Sequence, residues 1–433
     1  MRTIDLRGRE LTPAELLAAV PRANAARQAA LEAATDIVAD VRARGEASLR
    51  EQAERFDGAT DHAIRVPSEQ LTEALAGLAS PIRDALEETI RRVREASAAQ
   101  IPPARTTTLA DGARVTQRWQ PVARVGVYVP GGKAVYPSSV VMNVVPAQVA
   151  GVASVALASP PQSEHDGRVH PTILAAAALL GIDEVYAMGG AGAIGAFAYG
   201  VDELGLDPVD VVTGPGNNFV ASAKRAVAGV VGTDAEAGAT EILISADDTA
   251  DARHVAYDLV SQAEHDEQAS AVLVTSSLTL AEAVAAEVER VAAATRHAER
   301  VATALAGEQS AIVLVDDASA AEAFSNAYAP EHLELHLADA ADASPRYTSA
   351  GAVFVGTHSP VSLGDYLAGS NHVLPTGGQA RYAAGLGAAT FLRSQQVIEY
   401  SREALEAVRD GIVALSEAEA LPAHGEAVTA RFA

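Results

Sequence analysis

At 433 residues the chain is too long for one compact core and accommodates two or more domains, because domains usually run to between about 100 and 200 residues. Apolar residues make up 49% and charged residues 20%, the balance of a folded globular protein rather than a disordered or membrane-embedded one. Lys plus Arg total 32 against 56 Asp plus Glu, and a formal charge of -24 repels phosphate backbones and anionic lipid heads, so neither nucleic acid nor a membrane is the expected partner.

In chain order, Met1 to Glu10 is charged rather than apolar, unlike a secretory leader. Thr12-Pro13-Ala14-Glu15 then combines a capping residue, a first-turn proline and a glutamate three residues on, which predicts a helix start, and Ala-rich helix is expected to about Glu54. A second helical region covers Ser68 to Ala99, and Thr106 to Ala110 and Ala113 to Trp119 flank Asp111-Gly112 as a hairpin. From Arg124 short Val/Ile-rich runs alternate with helical segments: Val125 to Val129, Val155 to Leu157, Glu184 to Met188, Val209 to Thr213, Ile242 to Ser245, Ala271 to Thr275 and Ala311 to Val315. Such alternation means βαβ units and parallel sheets. The most apolar stretch, Val140 to Ser159, is broken by Asn143, Pro146 and Gln148, so no membrane span is expected and the cytoplasm is the default location. The units are too many for one small sheet, and two Rossmann-like parallel-sheet domains with helical N- and C-terminal extensions are expected. The division is 1–25 as a helical arm, 26–127 with 233–393 as the first domain, 128–232 as the second, and 394–433 as a helical tail.

Three glycine-bearing loops follow predicted strands: Pro130-Gly131-Gly132-Lys133, Gly189-Gly190-Ala191-Gly192 and Thr213-Gly214-Pro215-Gly216-Asn217. At the carboxyl ends of parallel strands, glycine lets a phosphate approach the backbone and the next helix offers free amides. Gly190, Gly192 and Gly195 fit G-x-G-x-x-G with Asp210 twenty positions on, but Asp210 opens a strand instead of closing one, and tight turns explain the glycines equally well. Gly132-Lys133 lacks the spacing of a phosphate-binding Walker loop.

Cysteine is absent, which excludes disulfides, thiolate metal ligands and a cysteine nucleophile. Gln262 and His265, three apart near a helix end, would share one face, a weak metal signal by itself. His332 and His336 fit H-x-x-x-H, but Leu333 stands where a zinc protease needs glutamate, and the alternation of Leu333, Leu335 and Leu337 with polar residues favours a strand. Gly364 to Gln379 carries Asp365, Asn371 and His372 without periodicity, as functional loops do.

Together these segments resemble the histidinol dehydrogenase family over nearly the whole chain. The resemblance rests on Gly126-Val127-Tyr128-Val129-Pro130-Gly131-Gly132, Thr213-Gly214-Pro215-Gly216-Asn217, Ser261-Gln262-Ala263-Glu264-His265, Ala329-Pro330-Glu331-His332-Leu333-Glu334, Gly364-Asp365-Tyr366 with Asn371-His372-Val373-Leu374-Pro375-Thr376, and Ala423-His424, in family order. It implies an oxidation of L-histidinol through L-histidinaldehyde to L-histidine, the last step of histidine biosynthesis, in a homodimer with shared active sites. One Zn2+ per subunit is implied at Gln262, His265, Asp365 and His424, with Glu331 and His332 as the acid-base pair. Thr240, His372 and Glu419, with His332 and the metal ligands, are implied near substrate, and Tyr128, Gly192 and Asn217 at NAD-contacting positions. Three departures stand out: Gly192 replaces a glutamine that usually contacts NAD, Thr240 replaces a common serine, and Ala420 replaces the glycine usual after Glu419.

Oxidation of an alcohol to an acid removes two hydrides and passes through an aldehyde. Without cysteine, that aldehyde is expected to add water and give up its second hydride as a hydrate, with Glu331 activating the water and His332 taking the hydroxyl proton. Read alone, Glu331-His332 is better taken as a simple helix-to-strand junction. Two other readings stay open: a relative that oxidises a different polar alcohol, and a zinc-binding regulatory protein that has lost NAD.

Overall fold

A strand buried on both faces needs a helical layer on each side, and the Val/Ile-rich runs obtain this by alternating with Ala-rich helices. The computed structural model describes residues 1–22, 27–131, 135–235 and 238–433. Gly132 and Lys133 of the first glycine loop lie outside these residues. Two parallel sheets form. The first has six strands in the order Arg2–Asp5, Ala311–Leu314, Ser270–Thr275, Glu241–Ala246, His332–His336 and Ala352–Val355. The second has five, in the order Val185–Ala187, Ser154–Ser159, Arg124–Tyr128, Val211–Thr213 and Gly232–Thr233. Each has an apolar cluster on either face, which is why its strands read as continuous hydrophobic runs.

The predicted strands from Val125 onward fall within or beside these two sheets, and Thr12 with Glu15 forms the expected reciprocal cap of helix Pro13–Ala19. The Ala-rich stretch to Glu54 is not one helix. It divides into Pro13–Ala19, Arg27–Arg44 and Glu46–Gln52, with a break at Gly45, whose φ of 55° suits glycine, and it ends in the wide turn Ala53–Asp57. Arg2–Asp5 had no sequence signal and completes the edge of the six-stranded sheet beside Ala311–Leu314.

Two expectations need correction. The region 26–127, assigned by sequence to the first domain, lies against the five-stranded sheet: helix Arg27–Arg44 contacts helices Gly190–Tyr199 and Asn218–Ala226, and Ser80–Ala98 contacts Pro137–Ala150. Chain order carries no information about which sheet an amphipathic helix will cover. The tail is not helical from Ser394, because Leu392–Tyr400 is a strand antiparallel to Ala113–Pro121, from Leu392 opposite Pro121 to Tyr400 opposite Ala113. The exposed hairpin edge offers a row of unpaired amides and carbonyls, and pairing with it decides the conformation of a weakly patterned segment. Helices Arg402–Ala418 and Pro422–Thr429 follow and contact one another.

Among the described residues, no helix is long and apolar enough to cross a membrane.

Candidate active site

The strand order places a cavity between the two sheets. In the five-stranded sheet the order reverses between Arg124–Tyr128 and Val211–Thr213, so the loops leaving their carboxyl ends diverge and open a crevice. The six-stranded sheet presents the opposite, amino edge: Thr240 precedes one strand, Glu331 precedes another, and His332 begins it. The resulting cavity of about 700 Å³ is lined by Tyr128, Gly190, Asn217, Thr240, His265, Glu331, His332, Asp365 and His372, among others.

Glu331 is buried at the foot of strand His332–His336. Its Oε2 accepts Thr240 Oγ1–H at 2.6 Å and the Glu241 amide at 2.9 Å. Burial raises its carboxyl above the usual range, opposed by His332, which is 3.6 Å away at Nδ1, and by these two hydrogen bonds. His332 Nδ1 lies 3.0 Å from the Glu241 carbonyl, which can only accept, so Nδ1 carries the proton and Nε2 is left as the basic nitrogen.

Thr240 has a single hydroxyl proton and gives it to Glu331, so it must accept from Gln262, whose Nε2 donates at 2.7 Å. This fixes the amide. Gln262 Oε1 then points elsewhere, fully buried and without a hydrogen-bond partner among the described residues. An orphaned buried oxygen of this kind is costly unless something outside the chain satisfies it. His265 Nδ1 meets the Gln262 carbonyl at 3.1 Å, so its Nε2 is the free nitrogen. A carbonyl oxygen, an imidazole nitrogen and the Asp365 carboxylate form an oxygen/nitrogen set that suits zinc and also tolerates other divalent metals.

His372 lines the same cavity with both nitrogens engaged: Nδ1 donates to the Asp365 carbonyl at 3.0 Å, and Nε2 accepts from Ser139 at 3.1 Å. Burial lowers its pKa, consistent with a neutral ring. Tyr128, whose hydroxyl accepts the Gly190 amide at 3.2 Å, is pushed up to about 12 by burial. Asn217 caps helix Asn218–Ala226 through Oδ1, with Phe219 at 3.0 Å and Val220 at 3.2 Å. The loop before it is clamped. Gly214 donates to Asp234 and accepts from Lys224, and a Cβ at Gly214 would stand 1.9 Å from the Tyr128 carbonyl.

Four expected site residues do not line the cavity, Gln262 behind Thr240 being one. Gly192 is buried in helix Gly190–Tyr199, while Glu419 and His424 lie exposed on the C-terminal helices. Asp210 holds the amides of Ala123 and Arg124, so the glycine pattern ending on it is structural.

A family model for histidinol dehydrogenase matches residues 20–432. A histidinol dehydrogenase of Leifsonia xyli is 66% identical over all of this chain and 99% of its own length. That of Thermobifida fusca is 58% identical over 99% of this chain and 97% of its own. The crystal structure of histidinol dehydrogenase from Elizabethkingia anophelis superposes with a TM-score of 0.91 at 31% identity, covering 100% of this chain and 98% of that one. The chain belongs to the histidinol dehydrogenase family. Against the usual family pattern, Ala420 keeps a φ of 57° without being glycine, a conformation that costs an L-residue roughly 1–2 kcal/mol.

Sequence reading missed a largely buried cluster beside the candidate site. Asp258, Glu334 and His336 bring ligand-type atoms within 4.8 Å of one another. Glu334 Oε1 accepts the Val361 amide at 2.7 Å and Oε2 meets His336 Nε2 at 3.2 Å. Asp258 lies one helical turn before Gln262, Glu334 two residues after His332, and Val361 four before Asp365, so the cluster ties together the three elements that carry the candidate site. No spacing rule joins these positions. The Asp258 carboxyl is pushed up to about 8, by burial first and then by the Glu334 charge. A value raised on folding means that the folded state holds a proton the unfolded chain releases. That stability is full below the ordinary carboxylate range, declines as pH rises above it, and is gone once pH has passed about 8. Asp258→Asn keeps a donor toward Glu334 and should remove this decline, which for one proton reaches about 1.4 kcal/mol per pH unit. Urea unfolding over a pH series checks this, and an unchanged slope in the variant would refute it.

Proposed function

We propose that this protein oxidises L-histidinol through L-histidinaldehyde to L-histidine, with one zinc ion per subunit and two NAD used in turn. The observation that carries the reading is Gln262: its amide nitrogen is tied through Thr240 to Glu331, and its oxygen is buried with no hydrogen-bond partner among the described residues. One side chain thereby joins a cation-binding position to a buried base.

Gln262, His265 and Asp365 would hold the metal, with His424 as the fourth ligand. Zinc, when bound, supplies a Lewis acid suited to the imidazole and amine nitrogens of histidinol. Tyr128 and Asn217 would hold NAD, which would supply the hydride acceptor for both oxidations. His332 Nε2 takes the hydroxyl proton in both oxidations, because its other nitrogen is committed to the Glu241 carbonyl. Glu331 removes a proton from the water that adds to the aldehyde, and burial supports this by making the carboxylate more basic than usual. Thr240 orients Glu331 toward the cavity. The absence of cysteine favours the hydrate over a covalent thiohemiacetal.

The fourth ligand requires a second copy of the chain. His424 and Glu419 lie outside the cavity of their own chain, and the C-terminal helices expose Val408, Leu415 and Leu421, with Leu415 66% exposed. Burial of this apolar face against another subunit supports a homodimer in which the partner's His424 completes the zinc site and the partner's Glu419 reaches substrate.

The purified protein with zinc, NAD and histidinol should give two NADH per histidinol. One NADH would mean that the aldehyde leaves, and no turnover with histidinol but activity on another polar alcohol would select a different substrate. Glu331→Gln should slow oxidation of supplied aldehyde by about 10²- to 10⁴-fold in single turnover and the alcohol step far less, so equal slowing of both removes Glu331 from the water-activating role. Asp365→Ala and His424→Ala proteins, each inactive alone, should regain activity when refolded together, because one site of the hybrid dimer collects both defects and the other none. Silence from hybrids shown to form with differently tagged chains would sink the shared site.

A further inference from the structure

Helix Gly190–Tyr199 has no side chain at Gly192, and that space is occupied. A Cβ built there would stand 2.1 Å from Gln52 Oε1 and 2.9 Å from Gln52 Cδ. Glycine at 192 is therefore what admits the carboxamide of Gln52 from the end of the neighbouring helix Glu46–Gln52. A longer residue at 192 and glutamine at 52 cannot share the site without one moving.

The orientation of this amide follows from a chain of donors. Arg44 forks onto both oxygens of Asp40, and Asp40 Oδ2 also accepts Ser48 Oγ–H at 2.6 Å. Ser48 has then spent its one proton and must accept from Gln52, whose Nε2 donates at 2.9 Å. The nitrogen is thereby held on the Ser48 side and the oxygen over Gly192. Among the described residues, that oxygen accepts no hydrogen bond. Gln52 also lines the large cavity, on the side formed by Tyr128, Gly190 and Asn217.

We propose that Gln52, admitted by the missing side chain of Gly192, is a cofactor-binding residue, whose carboxamide oxygen accepts a hydrogen bond from a hydroxyl or N–H group of the dinucleotide bound in the cavity that Gln52 lines. The assignment rests on the NAD reading above. A dinucleotide offers ribose hydroxyls, a carboxamide and an adenine amine as donors, and a pre-oriented acceptor meets one of them at little entropic cost.

The test is NADH affinity of the zinc-loaded protein, followed by NADH fluorescence, with histidinol affinity measured alongside by calorimetry. Gln52→Ala should weaken NADH by about five- to tenfold, the worth of one hydrogen bond, and leave histidinol binding unchanged. Gln52→Met, which keeps the volume but not the acceptor, should do the same. Gly192→Gln should weaken NADH at least as much, because its side chain collides with Gln52. The double variant Gln52→Ala/Gly192→Gln should recover to within about threefold of the unaltered protein, since the new amide enters the vacated space. A filler without a cofactor contact would leave NADH affinity unchanged in Gln52→Met. Unchanged NADH affinity in Gln52→Ala and Gln52→Met, or a double variant no better than Gly192→Gln, overturns the role of Gln52 and leaves the NAD reading standing. Failure of the unaltered protein to bind NADH overturns both.

Discussion

The site depends on one hydroxyl. Thr240 gives its only proton to the Glu331 carboxylate, and this obliges it to accept from the amide of Gln262. The same hydroxyl thus orients a buried carboxylate and leaves the Gln262 oxygen without a hydrogen-bond partner among the described residues. A neutral hydroxyl can link the two only because it is donor and acceptor at once, and serine, frequent at this position in the family, shares that property. Hydrogen bonds to a charged group contribute about 1.5–3 kcal/mol each, and Glu331 accepts two, which offsets part of the cost of its burial.

Around that relay, the two sheets present opposite edges to one cavity. The five-stranded sheet follows the general rule for parallel sheets, with its glycine loops at the carboxyl ends of strands on either side of the switch in order. The six-stranded sheet contributes Thr240, Glu331 and His332 from the amino ends of its strands. The chemistry proposed for Glu331 and His332 therefore sits where a rule about one sheet alone would not look. The edges are held by buried charge on both sides: Lys224 with Asp234 beneath the Gly214 loop, and Arg22 with Glu241 beside Glu331, at 2.6 Å.

Much of the fold was legible because a parallel strand covered on both faces must be apolar throughout, and a helix between strands must show its own period. Val125 to Val129 and Ala271 to Thr275 are of this kind. Leu392–Tyr400 was not legible, because a solvent-facing edge strand needs no apolar pattern and its conformation is set by the hairpin it joins. For the candidate site, the sequence reached Glu331, His332 and the Gln262–His265 pair through motif resemblance, whereas Gln52 and Asp258 carry no local signature. Their meaning lies in what stands opposite them: the missing side chain of Gly192 in one case, and Glu334 with His336 in the other.

The amino-acid sequence by itself determined the class of fold, the family and the types of chemical group available, including the absence of any thiol. These follow from periodicity, motif order and composition, which are properties of a line of residues. Only the tertiary structure decided which sheet the helices of 26–127 cover, which oxygen of which glutamine is left without a partner, and that His424 stands apart from the cavity of its own chain. Hydrogen-bond direction and side-chain vacancy are set by groups far apart in the chain, so they come into being only when the sheets are assembled.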